Sequence, residues 1–139
     1  MLRSEVVMPD ILIVEDNPVN QKLIAFLLAR SGYTYDIADN GAAALERLSQ
    51  AVYRLVLMDM MMPVMNGYDA TRAIRGDSRF RGVPVIALTA NAMKGEDEKC
   101  RAVGCDDYIA KPYSKDQILA AIQRLIGAPI PVDVRGAQA

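Results

Sequence analysis

The stretch Leu55-Val56-Leu57-Met58-Asp59, an apolar run that ends in a carboxylate, decides the fold of this chain. A continuous apolar run of this length is expected of a strand buried on both faces of a parallel sheet. The same form recurs in three other runs: residues 11–14 before Glu15 and Asp16, residues 85–88 before Thr89, and residues 107–110 before Lys111. If these runs are strands of one parallel sheet, the polar side chains emerge together at the edge where such sheets bind ligands.

Helical patterns fill the intervals between the runs, and a short strand is predicted at residues 33–38. Asn17 and Pro18 suit the N-cap and first position of a helix, and Gly32 suits its end. In that helix Val19, Leu23, Phe26 and Leu27 fall on one face. Five strand and helix units in alternation predict an α/β fold with a parallel sheet, right-handed crossovers and helices on both faces.

The second helix is predicted to begin after Asn40 and to carry Leu45 and Leu48, and later helices are predicted near residues 68–75, 94–103 and 114–126. Ser114 and Gln117 have the spacing of a capping box at the start of the last one. Prolines at 129 and 131 then indicate an extended segment. We therefore predict an N-terminal extension at 1–8, a single domain at 9–127 and a tail or linker at 128–139.

Composition excludes several functional classes. The chain has 139 residues, 52% of them hydrophobic, and a formal net charge of −1, so one folded domain without the basic footprint of nucleic-acid binding is expected. No apolar run approaches the roughly 20 residues of a membrane span, and residues 1–8 make a poor secretory signal, which together favour the cytoplasm. The chain contains no histidine, which removes histidine-based catalysis and metal binding.

Cys100 and Cys105 are the two cysteines. A disulfide is not expected in a cytosolic domain of this size, and two thiols alone make a poor zinc site. We interpret both as small, partly buried side chains. The methionines around Asp59 could bind copper(I), but thioethers more often fill gaps in a core.

The polar residues at the strand ends have the chemistry of a magnesium and phosphoryl site. Glu15, Asp16 and Asp59 would bring roughly −3 into one pocket, and such carboxylates raise one another's pKa unless cations compensate. Magnesium prefers oxygen ligands of this kind, while Lys111 supplies a compact cation and Thr89 a hydroxyl. Asp59 stands alone at the end of the central strand, so it is the natural nucleophile for an aspartyl phosphate.

With these residues in order, the chain resembles the receiver domain of two-component response regulators. The resemblance spans about residues 9–126 and rests on Glu15-Asp16, on residues 58–63 with Gly67, on residues 87–90 and on residues 106–112. Residues 60–67 and 89–93 look most like receivers attached to hybrid sensor histidine kinases. The resemblance implies a flavodoxin-like, doubly wound (βα)5 fold with strand order 2-1-3-4-5.

The resemblance also implies a role for each site residue. Asp59 would accept a phosphoryl group from a partner phosphohistidine, with Lys111 on the phosphoryl oxygens. Magnesium, or manganese in its place, would bind Asp16, Asp59 and the backbone carbonyl of Met61, with Glu15 acting through water. Two switch residues and one cis peptide complete the set: Thr89, Tyr108 and Lys111–Pro112.

The resemblance implies partners as well. The phosphoryl donor would be a sensor histidine kinase or a histidine phosphotransfer protein. This domain is not expected to bind nucleic acid or a membrane. It would be a monomer or a weak dimer that depends on phosphorylation. Receivers differ in dephosphorylation rate at the positions of Met61 and Asn91, and Met61 cannot orient water through a carboxylate or amide. A fairly long-lived phosphoryl group is therefore expected.

Other functions remain as alternatives. A phosphatase of the haloacid dehalogenase type uses similar residues, but it carries a second aspartate where this chain has Met61. Flavin binding suits the architecture, yet no hydroxyl-rich loop follows the first strand. A receiver-like interaction module that never takes phosphate is the main alternative. We expect a signalling domain that at most catalyses its own phosphorylation and dephosphorylation, either alone or within a hybrid kinase.

Overall fold

The computed structural model describes residues 9–90 and 93–129. The described residues form five strands: β1 (Ile11–Val14), β2 (Tyr35–Ala38), β3 (Leu55–Asp59), β4 (Val85–Thr89) and β5 (Asp107–Ala110). They alternate with the helices α1 (Pro18–Arg30), α2 (Gly41–Gln50), α3 (Gly67–Gly76), α4 (Glu96–Ala102) and α5 (Lys115–Ile126). The predicted extension at 1–8, most of the predicted tail and Asn91 lie outside the described residues.

The strands form one parallel sheet in the order β2-β1-β3-β4-β5. The register sets Ile13 beside Leu57 and Leu57 beside Ile86, so β3 lies at the centre. All five residues of β3 are buried, as expected of a strand covered on both faces. The predicted flavodoxin-like fold and strand order are confirmed.

Alternate residues of each strand point into two separate cores. Leu12 and Val14 pack with Leu48 of α2, Ile74 of α3 and Cys100 of α4. Ile11 and Ile13 pack on the opposite face with residues of α1 and α5, namely Ile24, Leu28, Ile118 and Ile122. The sheet is therefore sandwiched between α1 and α5 on one face and α2, α3 and α4 on the other.

The predicted helix caps are present. The Asn17 side chain accepts hydrogen bonds from the backbone of Val19 and Asn20, with Pro18 at the start of the helix. Gly32, just beyond α1, has a left-handed φ of 90°, and Ser114 and Gln117 form the reciprocal capping box. The polar helix is shorter than predicted and begins at Glu96, because Gly95 takes a left-handed conformation immediately before it.

Most of the apolar face predicted for α1 does not pack on the sheet, since of its four residues only Leu27 is partly buried against the core. The structure buries Ile24, Ala25 and Leu28, whereas Val19, Leu23 and Phe26 are 73%, 58% and 63% exposed. The helix is apolar on two sides, so spacing alone does not identify the buried one. We call Val19, Leu23 and Phe26 the α1 patch.

Both cysteines are buried and free. Among the described residues, no helix is both long enough and apolar enough to cross a bilayer.

Candidate functional site

Three carboxylates meet at the carboxyl edge of the sheet. Glu15, Asp16 and Asp59 each offer an oxygen, and these oxygens lie within 4.8 Å of one another. Val14 of β1 is in register with Met58 of β3, so the residues that follow the two strands lie side by side. Glu15 and Asp59 are buried, and Asp16 is exposed.

Lys111 bridges two of these carboxylates. Its Nζ lies 3.7 Å from Glu15 Oε1 and 3.7 Å from Asp59 Oδ1. The Lys111 backbone N–H donates to the carbonyl of Thr89 at 2.6 Å, which ties the end of β5 to the end of β4. The Lys111–Pro112 peptide bond is cis.

The Glu15 carboxyl is the most perturbed acid of the site. Burial is the main cause that raises its pKa to about 7; the Asn17 N–H opposes this, and the neighbouring Asp59 adds to it. Glu15 Oε2 accepts the Asn17 N–H at 3.1 Å. Within the part of the chain that the structure describes, Glu15 Oε1 is buried and accepts no hydrogen bond. A buried oxygen of this kind needs a partner, and a hydrated cation between the carboxylates would supply one.

Asp59 is held by its own loop and by the start of α3. Its Oδ1 accepts the Met61 N–H at 3.1 Å, which brings the Met61 peptide beside the carboxylate while the Met61 side chain is 62% exposed. A Cβ on Gly67 would stand 2.6 Å from the Asp59 carbonyl oxygen and 2.7 Å from Met60 Cα. Only glycine allows α3 to begin this close to the end of β3.

The two switch candidates lie on neighbouring strands. Thr89 ends β4 and is fully buried, one residue beyond Leu88, which is in register with Asp59. Tyr108 is half-buried on β5, in register with Ala87. Burial raises the pKa of Tyr108, and the negative charges of Glu96 and Asp97 on α4 contribute to the shift. Tyr108 packs against the core on the face of the sheet that α4 covers.

Two residues near the site were not among the sequence-based candidates. Gln21 of α1 hydrogen-bonds to the backbone of Glu15 and to the side chain of Asp39. Burial raises the pKa of Tyr113 to about 12, with contributions from the charges of Glu15 and Asp59. Tyr113 stands two residues after Lys111, so its position in the sequence could have drawn attention to it. Nothing in the sequence singles out Gln21, because its role depends on how the β1–α1 loop folds.

The donor set fits a divalent cation of the magnesium type. Among the described residues, the cluster consists of carboxylates alone, with no cysteine, and hard cations prefer oxygen ligands of this kind. The Lys111 ammonium group is close enough to contact an anion held at Asp59. The site can therefore bring a cation, a carboxylate nucleophile and a phosphoryl group together.

Comparison with known proteins agrees with this geometry. The family model of the response regulator receiver domain matches residues 11–123. The polar-differentiation response regulator DivK of Brucella anthropi is 39% identical over 117 residues, which cover 84% of this chain and 95% of DivK. Hybrid signal transduction histidine kinase B of Dictyostelium discoideum is 41% identical over 120 residues, covering 78% of this chain and 6% of that protein.

Solved structures give the same result. The receiver domain of sensor histidine kinase PA1611 from Pseudomonas aeruginosa, which has magnesium coordinated in its active site cleft, superposes with a TM-score of 0.80 at 43% identity, covering 88% of this chain and 100% of that one. The receiver domain of Ssk1 from Saccharomyces cerevisiae, in complex with the histidine phosphotransfer protein Ypd1, superposes with a TM-score of 0.77 at 28% identity. The match covers 87% of this chain and 92% of that one. The chain therefore belongs to the response regulator receiver domains, the signalling domains of two-component phosphorelay systems.

Proposed function

We propose that Asp59 is the phosphoacceptor of this receiver and takes its phosphoryl group from a phosphohistidine in a magnesium-dependent reaction. The observation that carries the proposal is the position of Lys111 Nζ, 3.7 Å from both Glu15 and Asp59 in a cluster of three carboxylates. An ordinary surface lysine would extend into solvent and would not lie between two buried carboxylates. A phosphoryl site needs such a cation beside its nucleophile.

The reaction transfers a phosphoryl group between two nucleophiles. A carboxylate oxygen of Asp59 forms a bond to phosphorus while the phosphorus–nitrogen bond to the donor imidazole breaks, and the bonding electron pair returns to that imidazole. Lys111 contacts the phosphoryl oxygens and compensates their charge. Asp16, Asp59 and the Met61 carbonyl would hold magnesium, with Glu15 acting through water. When bound, the cation neutralises charge on the transferring group, and manganese is expected to substitute for it.

Phosphorylation would then act as a two-state switch. The phosphoryl group adds charge and acceptor oxygens at the end of β3, and the Thr89 hydroxyl becomes one of their donors. Tyr108 changes its rotamer to follow Thr89. The surface formed by α4, β5 and α5 therefore differs between the two states, and a partner that prefers one state shifts the equilibrium toward it.

The α1 patch is the proposed docking surface for the phosphohistidine protein, either a histidine kinase or a phosphotransfer protein. Three large apolar side chains exposed on one face of a helix offer a surface for a partner to cover. The helix begins immediately after the acidic pair, so a partner bound there would present its histidine to Asp59. We propose a monomer, or a weak dimer that forms only after phosphorylation.

Intact-mass analysis after incubation with acetyl phosphate tests the phosphoacceptor. We expect a phosphoryl adduct that requires magnesium and is absent from Asp59→Asn. If the folded protein gains no adduct from acetyl phosphate or from a panel of phosphohistidine donors, the proposal fails. The remaining interpretation would then be an interaction module that does not depend on phosphate.

A second comparison tests the docking surface. Replacing Leu23 and Phe26 by alanine should slow transfer from a phosphohistidine protein by at least about tenfold, the effect of removing contacts in the centre of an interface. Labelling by acetyl phosphate should not change, because a small donor needs no docking surface. Val52→Ala is the matched control, since Val52 is 77% exposed outside the α1 patch. Equal transfer by the patch variant and the control would contradict the assignment.

A further inference from the structure

Gln21 connects the docking helix to two loops at the edge of the sheet. It lies in the first turns of α1 and is half-buried. Its Nε2 donates to the carbonyl oxygen of Glu15 at 2.6 Å and to Asp39 Oδ1 at 2.8 Å. A side-chain amide nitrogen carries two hydrogens, so both are used, one for each loop.

The Glu15 carbonyl belongs to the peptide unit that joins Glu15 to Asp16. A peptide unit is planar and includes the Cα atoms of both residues that it joins. A hydrogen bond to its oxygen therefore restrains the orientation of this unit, and with it the backbone at both Glu15 and Asp16. The Glu15 N–H is already fixed, since it donates to the Ala38 carbonyl at 3.1 Å. Gln21 therefore restrains the Glu15 carbonyl, and with it the orientation of the peptide unit between Glu15 and Asp16.

Asp16 depends on this backbone more than its neighbours do. Within residues 9–90 and 93–129, no group hydrogen-bonds to the Asp16 carboxylate, which is exposed. Glu15 and Asp59, in contrast, are buried and each accepts a backbone N–H. The direction in which the Asp16 side chain leaves the backbone is thus set by the peptide that Gln21 restrains.

We propose that Gln21 is a positioning residue for the cation site, one that orients the Glu15–Asp16 peptide so that the Asp16 carboxylate faces Asp59. This inference rests on the proposed function, because it assumes that the acidic cluster binds magnesium. It also gives α1 a second role, since the helix that carries the docking patch holds the acidic pair through Gln21. Asp39 serves as the second anchor of the Gln21 amide.

The test measures magnesium affinity by isothermal titration calorimetry in Gln21→Met, which keeps the length of the side chain and removes both donors. Residues that orient metal ligands typically change affinity by about 10-fold to 100-fold when they are lost, and we expect about 10-fold weaker binding here. The rate of labelling by acetyl phosphate should return to the wild-type value at saturating magnesium. Gln123→Met on α5 is the matched control, an exposed glutamine in another helix, and its affinity should equal that of the wild type.

A second pair of variants keeps the test decisive if Gln21→Met does not fold. Asp39 is exposed, so its variants should fold. Asp39→Ala removes the second anchor, whereas Asp39→Asn keeps an acceptor oxygen and removes only the charge. We expect magnesium binding to be several-fold weaker in Asp39→Ala than in Asp39→Asn.

The outcomes separate the inference from the function on which it rests. If the wild-type protein does not bind magnesium, the proposed function fails and the inference fails with it. If the wild-type protein binds magnesium and Gln21→Met binds it equally well, the inference alone is overturned. A lower melting temperature in Gln21→Met with unchanged affinity would also overturn it, because the role of Gln21 would then be structural only.

Discussion

At the scale of single residues, the buried Glu15 carboxyl lowers the stability of the fold when it is ionised and no cation is bound. This carboxyl is 1% exposed, and burial is the main cause that raises its pKa from 4.5 to about 7. A raised pKa means that the folded protein binds the Glu15 proton more tightly than the unfolded chain does. Without a cation, folding therefore loses stability as the pH rises from the unfolded pKa to the folded one.

The first prediction follows from that sign. In the absence of divalent cations, the free energy of unfolding should fall between about pH 4.5 and pH 7, by about 3 to 4 kcal/mol at most, since each pKa unit corresponds to about 1.4 kcal/mol. Glu15→Gln should remove most of this pH dependence because the amide does not ionise. Urea denaturation at several pH values in EDTA measures it. A slope that is equally steep in Glu15→Gln would assign the effect to other groups.

The second prediction concerns Met61, whose side chain is exposed beside Asp59. A thioether cannot orient an attacking water, so the phosphoryl group on Asp59 should take longer than seconds to be hydrolysed. Met61→Asn supplies an amide at this position and should speed hydrolysis by up to about a hundredfold, which is the low end of what a positioned proton-transfer group contributes. Loss of the phosphoryl adduct over time, followed by intact mass, is the measurement. Wild-type hydrolysis within seconds would show that Met61 does not limit the rate.

At the scale of elements, the sequence predicted the strands and most of the helix starts because their causes are local. Asn17 and Ser114 cap helices with their own side chains, and the apolar run of β3 needs no partner to be recognised. The buried face of α1 was not predictable, since Leu23 and Leu28 are equally apolar and only the sheet distinguishes them. Gln21 escaped prediction for a similar reason, because its hydrogen bonds join α1 to two loops that are far apart in the sequence.

The two faces of α1 give the third prediction. Leu28 is fully buried, so Leu28→Ala should lower the free energy of unfolding by about 2–5 kcal/mol, the cost of a buried leucine truncated to alanine. Phe26 is 63% exposed, and the Arg30 guanidinium lies 5.5 Å from its ring centre. Phe26→Ala should therefore cost no more than about 0.5 kcal/mol. Chemical denaturation of both variants measures the difference, and equal losses would mean that the buried face has been misassigned.

At the scale of the whole molecule, the amino and carboxyl ends of the strands differ in the groups that they carry. The carboxyl edge holds the acidic cluster and Lys111. At the amino edge, Arg54 pairs with the buried Asp10 at 3.1 Å, next to the starts of β1 and β3. On the same edge, Arg75 of α3 donates to the carbonyls of Gly104, Arg81 and Val83 and pairs with Asp106. The arginines therefore secure the chain where strands begin, and the site occupies the edge where they end.

This separation gives the fourth prediction, for Arg75→Met. The substitution removes the arginine donor from three carbonyl oxygens and the charge partner of Asp106, which keeps the Val85 N–H as a donor. Gly104 has a φ of 112° beside the Arg75 side chain, so the loop is shaped around that arginine. The free energy of unfolding should fall by about 2–4 kcal/mol, the cost of breaking a partly buried charged network. Magnesium affinity in the folded protein should stay within about twofold of the wild type, because the contacts of Arg75 lie at the edge opposite the acidic cluster.

The neighbouring Arg72 on the same helix provides the control for this prediction. Its pair with Asp69 is exposed on both sides, so Arg72→Met should change stability by less than about 1 kcal/mol, as for most surface ion pairs. Urea denaturation and magnesium titration of both variants supply the two readings. If Arg75→Met weakened magnesium binding as strongly as it lowered stability, the two edges would be coupled through the sheet, and α3, which begins beside Asp59 and ends near Arg75, would be the element that couples them.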